Sequence, residues 1–464
     1  MAVIPPLPGD KPQNQQIIAA LAHDQRSEIA FVRTQVPESN SRPALSATLP
    51  QAQAFERELF EQHGILPEGH PWLKPLRNHP ELARIETGEA AAVMPGYRFF
   101  RVEGPGIHEV AVGPVHAGII EPGHFRFQCH GEIVLNLEIH LGYQRRGAEE
   151  LLLRSAPARR LIVAESIAGD TVIGHALAYC TAIEALAGVE APLAAQVLRG
   201  IALELERLAN HVGDLGALCN DIGYLPGASW FGRLRGEFLN TLMEISGNRY
   251  GRGLLCVGGV RFGLDPAQKK KILARLERAK VDFQRTAELV FNTPSVLSRF
   301  EQTGVVTREI ANDLGLVGPV ARASGCDRDV RRDHPCGIYR FTHVPVATLT
   351  DGDVFARALI RQVEAERSLT FVREQLHALA DSAVAVEVPR PGPEMLVTSL
   401  IEGWRGEIAH LAVTGSEGEL VAYKVVDPSF HNWFGLAMAM RGNQISDFPL
   451  CNKSFNLSYA GHDL

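Results

Sequence analysis

The stretch ELERLANHVGDLGALCNDIG, residues 204–223, decides the class of fold. Ile201, Leu205, Leu208, Val212 and Leu215 recur at helical spacing, so the segment from 196 to about 221 reads as an amphipathic helix. Beside that apolar stripe, Glu204, Arg207, His211, Asp214 and Asp221 fall at offsets 0, 3, 7, 10 and 17 and share one line along the helix. Two readings fit this row. It is a solvated ion-pair face, supported by a few tenths of a kcal/mol per pair. Otherwise it is a buried row in which acids, histidine and arginine shift one another's proton affinities and relay protons.

Working outward, the pattern stays helical from about 147 to 380. Asp265-Pro266 is an N-cap with proline at the first helical position, leading into a face of Ile272, Leu276, Ala279 and Phe283. Residues 97–140 instead alternate, in Tyr97–Val102, Phe125–Phe127 and Glu132–Leu137, and predict an antiparallel sheet. A second hairpin is expected between 395 and 425, around the Gly415–Gly418 turn. Near the N-terminus Phe55, Leu59 and Phe60 predict a short helix stopped at Gly64. Residues 1 to about 50 look loop-rich, with a linker or loop at Ser39–Pro43. The fold class is therefore α+β, mainly helical, and no internal repeat is visible.

At 464 residues, 45% hydrophobic and 21% charged, the chain is an ordinary globular protein of two or three domains. Its net charge of −7 argues against nucleic acid as a partner. No signal peptide is apparent, and the most apolar region, Leu161 to Leu203, is interrupted by Glu165, Asp170, His175, Glu184, Glu190 and Arg199, so no membrane span is expected. The seven cysteines are scattered without a CxxC pair; the expectation is that this chain holds no metal or cluster by itself. Walker, dinucleotide-binding, HExxH and GxSxG motifs are missing. GRGLLCVGGVRFG (251–263) reads as a close-packed turn rather than a phosphate cradle. CDRDVRRDHP (326–335) is an anion site or a solvated loop, with the loop favoured.

Longer stretches carry a resemblance. EIHLGYQRRGAEELL (138–152), the helix at 204–223, ARASGCDRDVRRDHP (321–335) and DPSFHNW (427–433) resemble the large subunit of membrane-bound, energy-converting nickel–iron hydrogenases and its relative, the quinone-site subunit of respiratory complex I. FERELFEQHGILPEGHP (55–71) resembles the closing motif of a second complex I protein, the one fused ahead of the large subunit in formate hydrogenlyase and hydrogenase-4. The resemblance implies a shortened form of that fused protein over 1–95, with a disordered or loop-rich start, and a large-subunit domain over 96–464, a helical bundle flanked by antiparallel β segments. It further implies a peripheral, cytoplasmic position on the inner face of the cell membrane. The partners implied are a small iron–sulfur subunit, which would hold the cluster, and antiporter-like membrane subunits.

The departures from that family bear on the chemistry. Ala168 and Thr171 stand where the first pair of nickel-binding cysteines would be, with Gly169 and His175 kept around them; Ser458 and Gly461 stand at the second pair. A methyl, a hydrogen and two hydroxyls are not soft anionic ligands, so no nickel–iron centre is expected. Gly113-Pro114-Val115-His116 matches a quinone-site motif, but Ile120 and Gly169 occupy the headgroup positions, with His124 close by. His140, Arg146, Glu149, Glu204, Arg207, His211 and Asp221 match residues the family keeps around its redox chamber and towards the membrane arm. The resemblance thus names His116, Arg146, Glu149, His175, Glu204, Arg207, His211 and Asp221 as chamber or proton-relay candidates, His175 having a hydrogen-bonded core histidine as its alternative. The expected function is electron transfer or redox-to-ion coupling within such a complex. The alternatives are a non-catalytic scaffold and a quinone-reducing subunit with altered headgroup contacts.

Overall fold

The structure, a computed structural model, describes residues 1–4, 15–77, 97–116 and 120–464; the expected domain boundary at 95/96 lies outside them. The centre of the molecule is the predicted helix. Because the described helices follow one another along the chain, they are numbered α1 (Gln53–His63), α2 (Ala148–Arg154), α3 (Pro157–Ala164), α4 (Val172–Ala187), α5 (Leu193–Asp221), α6 (Leu225–Ser246), α7 (Pro266–Phe291), α8 (Pro294–Phe300), α9 (Arg308–Leu314), α10 (Gly318–Ala323), α11 (Val330–Asp333), α12 (Val354–Ala378), α13 (Pro428–Ala439), α14 (Phe448–Phe455) and α15 (Tyr459–Asp463). α5 packs along α6 and α12, and its apolar stripe lies in the largest core cluster with Ile201, Leu205, Leu208 and Val212 all buried. α4 is apolar on nearly all sides, and it is accordingly buried nearly all round. α7 starts as the sequence indicates, with Asp265 and Gln268 forming a reciprocal capping box.

The strands are β1 (Ala2–Ile4), β2 (Gln16–His23), β3 (Glu28–Gln35), β4 (Ser41–Pro43), β5 (Leu66–Glu68), β6 (Ile107–Val112), β7 (His124–His130), β8 (Ile133–His140), β9 (Leu255–Cys256), β10 (Gly259–Val260), β11 (Leu396–Gly403), β12 (Gly406–Thr414) and β13 (Leu420–Val426). Three sheets are three-stranded meanders of antiparallel neighbours: β1-β2-β3, β6-β7-β8 and β11-β12-β13. The expected second hairpin is thus one strand larger. Its register closes at Gly403↔Gly406, which puts Trp404 and Arg405 in a two-residue turn. That turn is pressed onto the start of α10, where a Cβ on Gly318 would lie 2.1 Å from the Arg405 carbonyl oxygen. Only glycine fits there, and the approach fixes Arg405 in place.

Three expectations are corrected. Tyr97–Val102 forms no strand; it runs beside the β6-β7-β8 sheet, its Phe100 and Val102 amides donating to the side chains of Glu138 and Gln128. The loop-rich start contains the β2–β3 hairpin, which sequence alternation misses because Ile17 and Ile18 are buried while most of the remainder faces solvent. Ser41–Pro43, read as a linker, pairs in parallel with Leu66–Glu68. Residues 251–263 do form a close-packed turn: a Cβ on Gly259 would stand 2.1 Å from the Val384 carbonyl oxygen. Among the described residues no helix is long and apolar enough to cross a membrane.

Candidate functional site

Up to Asp214 the polar row of α5 lies inside the protein, not on its surface. Glu204, Arg207 and His211 have no measurable exposure, and Asp214 is 4% exposed. Buried charge is tolerated only where each group is paired and hydrogen-bonded. Arg207 donates to Glu204 (3.1 Å) and to the carbonyls of Glu402 and Gly403. Glu204 also accepts from Arg331 (3.1 Å), Tyr339 (2.7 Å) and Ser368 (2.5 Å). Burial alone would raise Glu204; Arg207, Arg331 and the two hydroxyls hold it at about 2. Asp214 pairs with Arg361 at 2.9 Å.

The row is one side of a larger cluster. Arg331 binds Asp329 (2.6 Å), and Arg322 bridges Glu364 (2.9 Å) and Glu402 (2.8 Å). Asp329, Arg331 and Asp333 come from the segment read as a solvated loop, and all three are buried. The correction has a physical basis: each guanidinium in that segment finds a carboxylate of another element or of its own turn. His211 lies 2.9 Å from Glu364 through Nε2. Burial lowers the proton affinity of His211, while Glu364 is held well below the ordinary carboxylate range by Arg322 and His211 despite its burial. A neutral ring beside an ionised acceptor must carry its proton on Nε2, leaving Nδ1 as an acceptor. That Nδ1 is buried and has no hydrogen-bond partner among the described residues.

Ala168, Thr171, Ser458 and Gly461, the positions that the resemblance aligns with cysteines, lie at a neighbouring corner. Arg146 ties them together, donating to the carbonyls of Ser166 (2.6 Å), Ile167 (2.7 Å) and Ala460 (3.3 Å). Thr171 is engaged by the Trp404 indole (3.1 Å) and by Arg405 (3.2 Å), and Arg405 grips Asp170 with both terminal nitrogens. The Ser458 hydroxyl caps α15 at the Gly461 amide, 2.9 Å away. A Cβ on Gly461 would meet the Asp427 carboxyl carbon at 2.6 Å. Ala168 is fully buried. Side chains of the protein itself therefore occupy this corner, while Gly169 faces open space.

Asp427 is the end of a buried file. It lies 3.0 Å from His175 Nε2; His175 Nδ1 is 3.1 Å from His410 Nε2, and His410 Nδ1 is 2.8 Å from the Tyr423 hydroxyl. Burial would raise Asp427, but His175 and Arg405 hold it at about 2, and burial keeps His410 neutral by lowering it well below its ordinary value. With Asp427 ionised, one self-consistent assignment has every donor pointing the same way: Tyr423 O–H to His410, His410 Nε2–H to His175, His175 Nε2–H to Asp427. His175 is thus a hydrogen-bonded core histidine, fully buried at the start of α4.

The remaining candidates are dispersed. Glu149 is partly buried, accepting from the Val425 amide (2.9 Å) and pairing with Lys424 (2.9 Å). Arg146 is partly solvent-facing. Asp221 is exposed at the C-terminal end of α5, ten residues or about 15 Å beyond His211. His116 lies against Phe125, its buried Nε2 unpartnered among the described residues; His124 is bound to the Gly113 carbonyl. Sequence reasoning missed Arg322, Glu364, Glu402, His410, Tyr423 and Glu206. Glu206 accepts from the Ile173 (2.7 Å) and Gly174 (3.1 Å) amides at the start of α4, yet burial pushes it up to about 8. At helical spacing it falls on neither the apolar stripe nor the polar row, so the pattern of the 204–223 helix did not single it out.

Residues 221–395 match the family described as respiratory-chain NADH dehydrogenase, 49 Kd subunit, and residues 8–88 the one described as its 30 Kd subunit. The chain is 30% identical to formate hydrogenlyase subunit 5 of Escherichia coli (strain K12) over 439 residues, 91% of this chain and 76% of that protein. It is 28% identical to hydrogenase-4 component G of the same strain over 440 residues, 92% and 76% of the two chains. To the membrane-bound hydrogenase subunit alpha of Pyrococcus furiosus it is 30% identical over 370 residues, 75% and 85%.

Proposed function

This chain belongs to the family that unites the 49 kDa subunit of respiratory NADH dehydrogenase with the large subunits of membrane-bound hydrogenases, and from that premise we propose that it is a large-subunit-like component of such a complex without a nickel–iron site. Its role is electron transfer or the coupling of redox chemistry to ion movement. The observation that carries this reading is the contrast within the site. The cysteine-equivalent corner offers no thiolate, and both of its hydroxyls are already committed to internal hydrogen bonds. Those residues do not fit a nickel–iron group, which needs soft anionic ligands. Beyond the Trp404 ring, which meets His211 edge-on, the buried cluster of Glu204, Arg207, His211 and Glu364 is complete and keeps one ring nitrogen unfilled.

In this reading electrons reach the corner from a cluster in a small iron–sulfur partner, and antiporter-like membrane subunits complete the complex at the inner face of the cell membrane. His211, with its free Nδ1, is positioned to accept a proton, and Glu364 to steady the imidazolium that results. Arg207 and Arg322 hold Glu364 ionised for that purpose. His175 orients Asp427 at the corner itself.

Purifying the complex through a tag on this chain tests the reading. Iron without nickel, with a small cluster-bearing subunit and membrane subunits, is expected; stoichiometric nickel overturns it. Partners present with no redox change at all favour the scaffold. One atom favours a quinone acceptor instead, the unpartnered Nε2 of His116. Unchanged quinone reduction in His116→Ala counts against that second reading.

A further inference from the structure

The cluster around Arg322 does not balance. Four buried carboxylates, Glu204, Asp329, Glu364 and Glu402, face three buried guanidinium groups, Arg207, Arg322 and Arg331. One negative charge is in excess in a region from which water is excluded, and the neutral His211 does not cancel it. Uncompensated buried charge is relieved most readily by binding a proton. Three of the acids are poor places for it: Glu204 has two guanidinium partners and two hydroxyl donors, Asp329 is gripped by Arg331 with Arg322 nearby, and Glu364 touches Arg322 and His211. Among the described residues Glu402 touches one guanidinium, Arg322, and otherwise accepts a single backbone N–H, from Val330 at 3.1 Å.

Glu402 also borders a cleft. This cleft of about 10 Å³, room for roughly one water, is lined by Glu402 and Asp329 on its inner side. Its outer side holds Asp24 from the β2–β3 hairpin, Arg328 and His334 from the 326–335 segment, and Glu407 from β12. These four form an ion cluster at the mouth, with Arg328 to Asp24 at 2.6 Å, Arg328 to Glu407 at 3.3 Å and His334 to Asp24 at 3.1 Å. Asp333 completes the wall. Arg207 faces Glu402 from α5, donating to its carbonyl at 2.6 Å, and Arg331 faces it from α11.

We propose that Glu402 is a proton-exchange site, taking one proton from solvent through this cleft to neutralise the buried cluster and returning it by the same route. The step adds a solvent proton to a carboxylate oxygen; no electron moves and no other bond is broken. Burial and the neighbouring charge of Asp329 push Glu402 up to about 7, in keeping with a group that is half loaded at neutral pH. When His211 becomes charged the excess vanishes, and Glu402 then has reason to release its proton. That last use rests on the coupling reading above, while the exchange itself stands without it.

The experiment is pH-difference infrared spectroscopy on the intact purified complex. One component of the carboxylic acid carbonyl absorption is expected to grow as pH falls through neutrality, to shift in D₂O, and to be missing in Glu402→Gln, while the components of Glu61 and Glu206 remain. It should survive in Glu61→Gln, whose carboxyl burial also pushes up to about 7. An unchanged spectrum in Glu402→Gln overturns the proposal. Should that variant fail to assemble, Glu402→Asp serves: a displaced band and midpoint support the assignment, and an identical spectrum overturns it. Asp24→Asn loosens the mouth and should speed deuterium exchange of the band several-fold without abolishing it; an unaltered rate overturns the cleft as the route. A titrating band in a complex that takes up no protons on reduction would leave Glu402 in place and sink the coupling reading alone.

Discussion

Two neighbouring regions of this protein are built differently. At the corner of Ala168, Thr171, Ser458 and Gly461 the positions that resemble ligands are small, and Arg405 and Asp427 have closed over them. Along α5 nothing has been simplified: four carboxylates and three guanidinium groups stay buried around Arg322 at short range. Paired burial is weak evidence for stability, because well-packed apolar residues would do as well or better. A protein that had become scaffold alone would have no reason to keep the second region. On the proposed reading, the charged cluster rather than the small-residue corner is the place to look first for a loss of function.

The largest effect should come from breaking that cluster. Arg322→Ala leaves Glu402 without its ion-pair partner and Glu364 with only the longer contact to Arg207 and the ring of His211, at a cost of about 3–5 kcal/mol. Thermal unfolding of the purified complex measures it. The matching change at the corner, Arg405→Ala, strips a partner from Asp170, whose side chain is 35% exposed and can be rehydrated, so its cost should be clearly smaller. Equal losses would mean that the two regions are held in the same way.

Gly461→Ala probes how firmly the corner is closed. The new methyl strikes an Asp427 carboxylate that His175 and the Ser429 amide hold in place, and overpacking of this kind costs about 1–3 kcal/mol. Combining it with Asp427→Ala should recover part of the loss, a coupling that a double-mutant cycle reads directly. A purely additive result would show that the corner has room, and nickel binding by a four-cysteine variant would then be worth trying.

Acid should separate the regions by sign. Asp427 falls from an ordinary 3.8 to about 2 in the folded protein. Its contribution, about 2 kcal/mol, is therefore present above pH 4 and lost as pH falls from about 4 to about 2. Glu402 is raised, from 4.5 to about 7. The folded state then binds more protons than the unfolded one between those values, and stability declines as pH rises from 4.5 to 7. Denaturant midpoints against pH should show a shallower acid-side slope in Asp427→Asn and a shallower neutral-side slope in Glu402→Gln, the remainder coming from Glu204 on the acid side and from Glu61 and Glu206 near neutrality. One slope vanishing in both variants would merge the two regions into a single titrating unit.

Helix α5 was legible because its core stripe and its polar row have the same period, and α7 because Asp265-Pro266 marks its start. The identity of the row's partners was not. Glu364 is 153 residues from His211, and Glu402 is 80 from Arg322; nothing local records that they meet. CDRDVRRDHP misled because a run of charges in sequence is normally solvated, and only tertiary pairing makes its burial tolerable. The file from Asp427 to Tyr423 was invisible for the same reason, since its four members come from α4, β12, β13 and the turn before α13. The exposed β2–β3 hairpin failed on the opposite ground, having too little buried surface to impose alternation.

Asp221 sets the outer limit of the comparison. It shares the helical line of Glu204, Arg207 and His211, and by resemblance it belongs to the same path, yet it is exposed while they are fully buried. An exposed carboxylate without a tight partner changes stability by no more than about 0.5 kcal/mol when neutralised. Asp221→Asn should therefore leave the unfolding midpoint of the complex almost untouched. Its functional effect is the sharper measure. If protons move along α5 as far as the end of the helix, Asp221→Asn must slow redox-linked proton uptake at unchanged stability. If uptake is unaffected while Glu402→Gln abolishes its pH dependence, the path turns away from the helix at His211, and the row has two ends with different masters: one in the cluster, one in solvent.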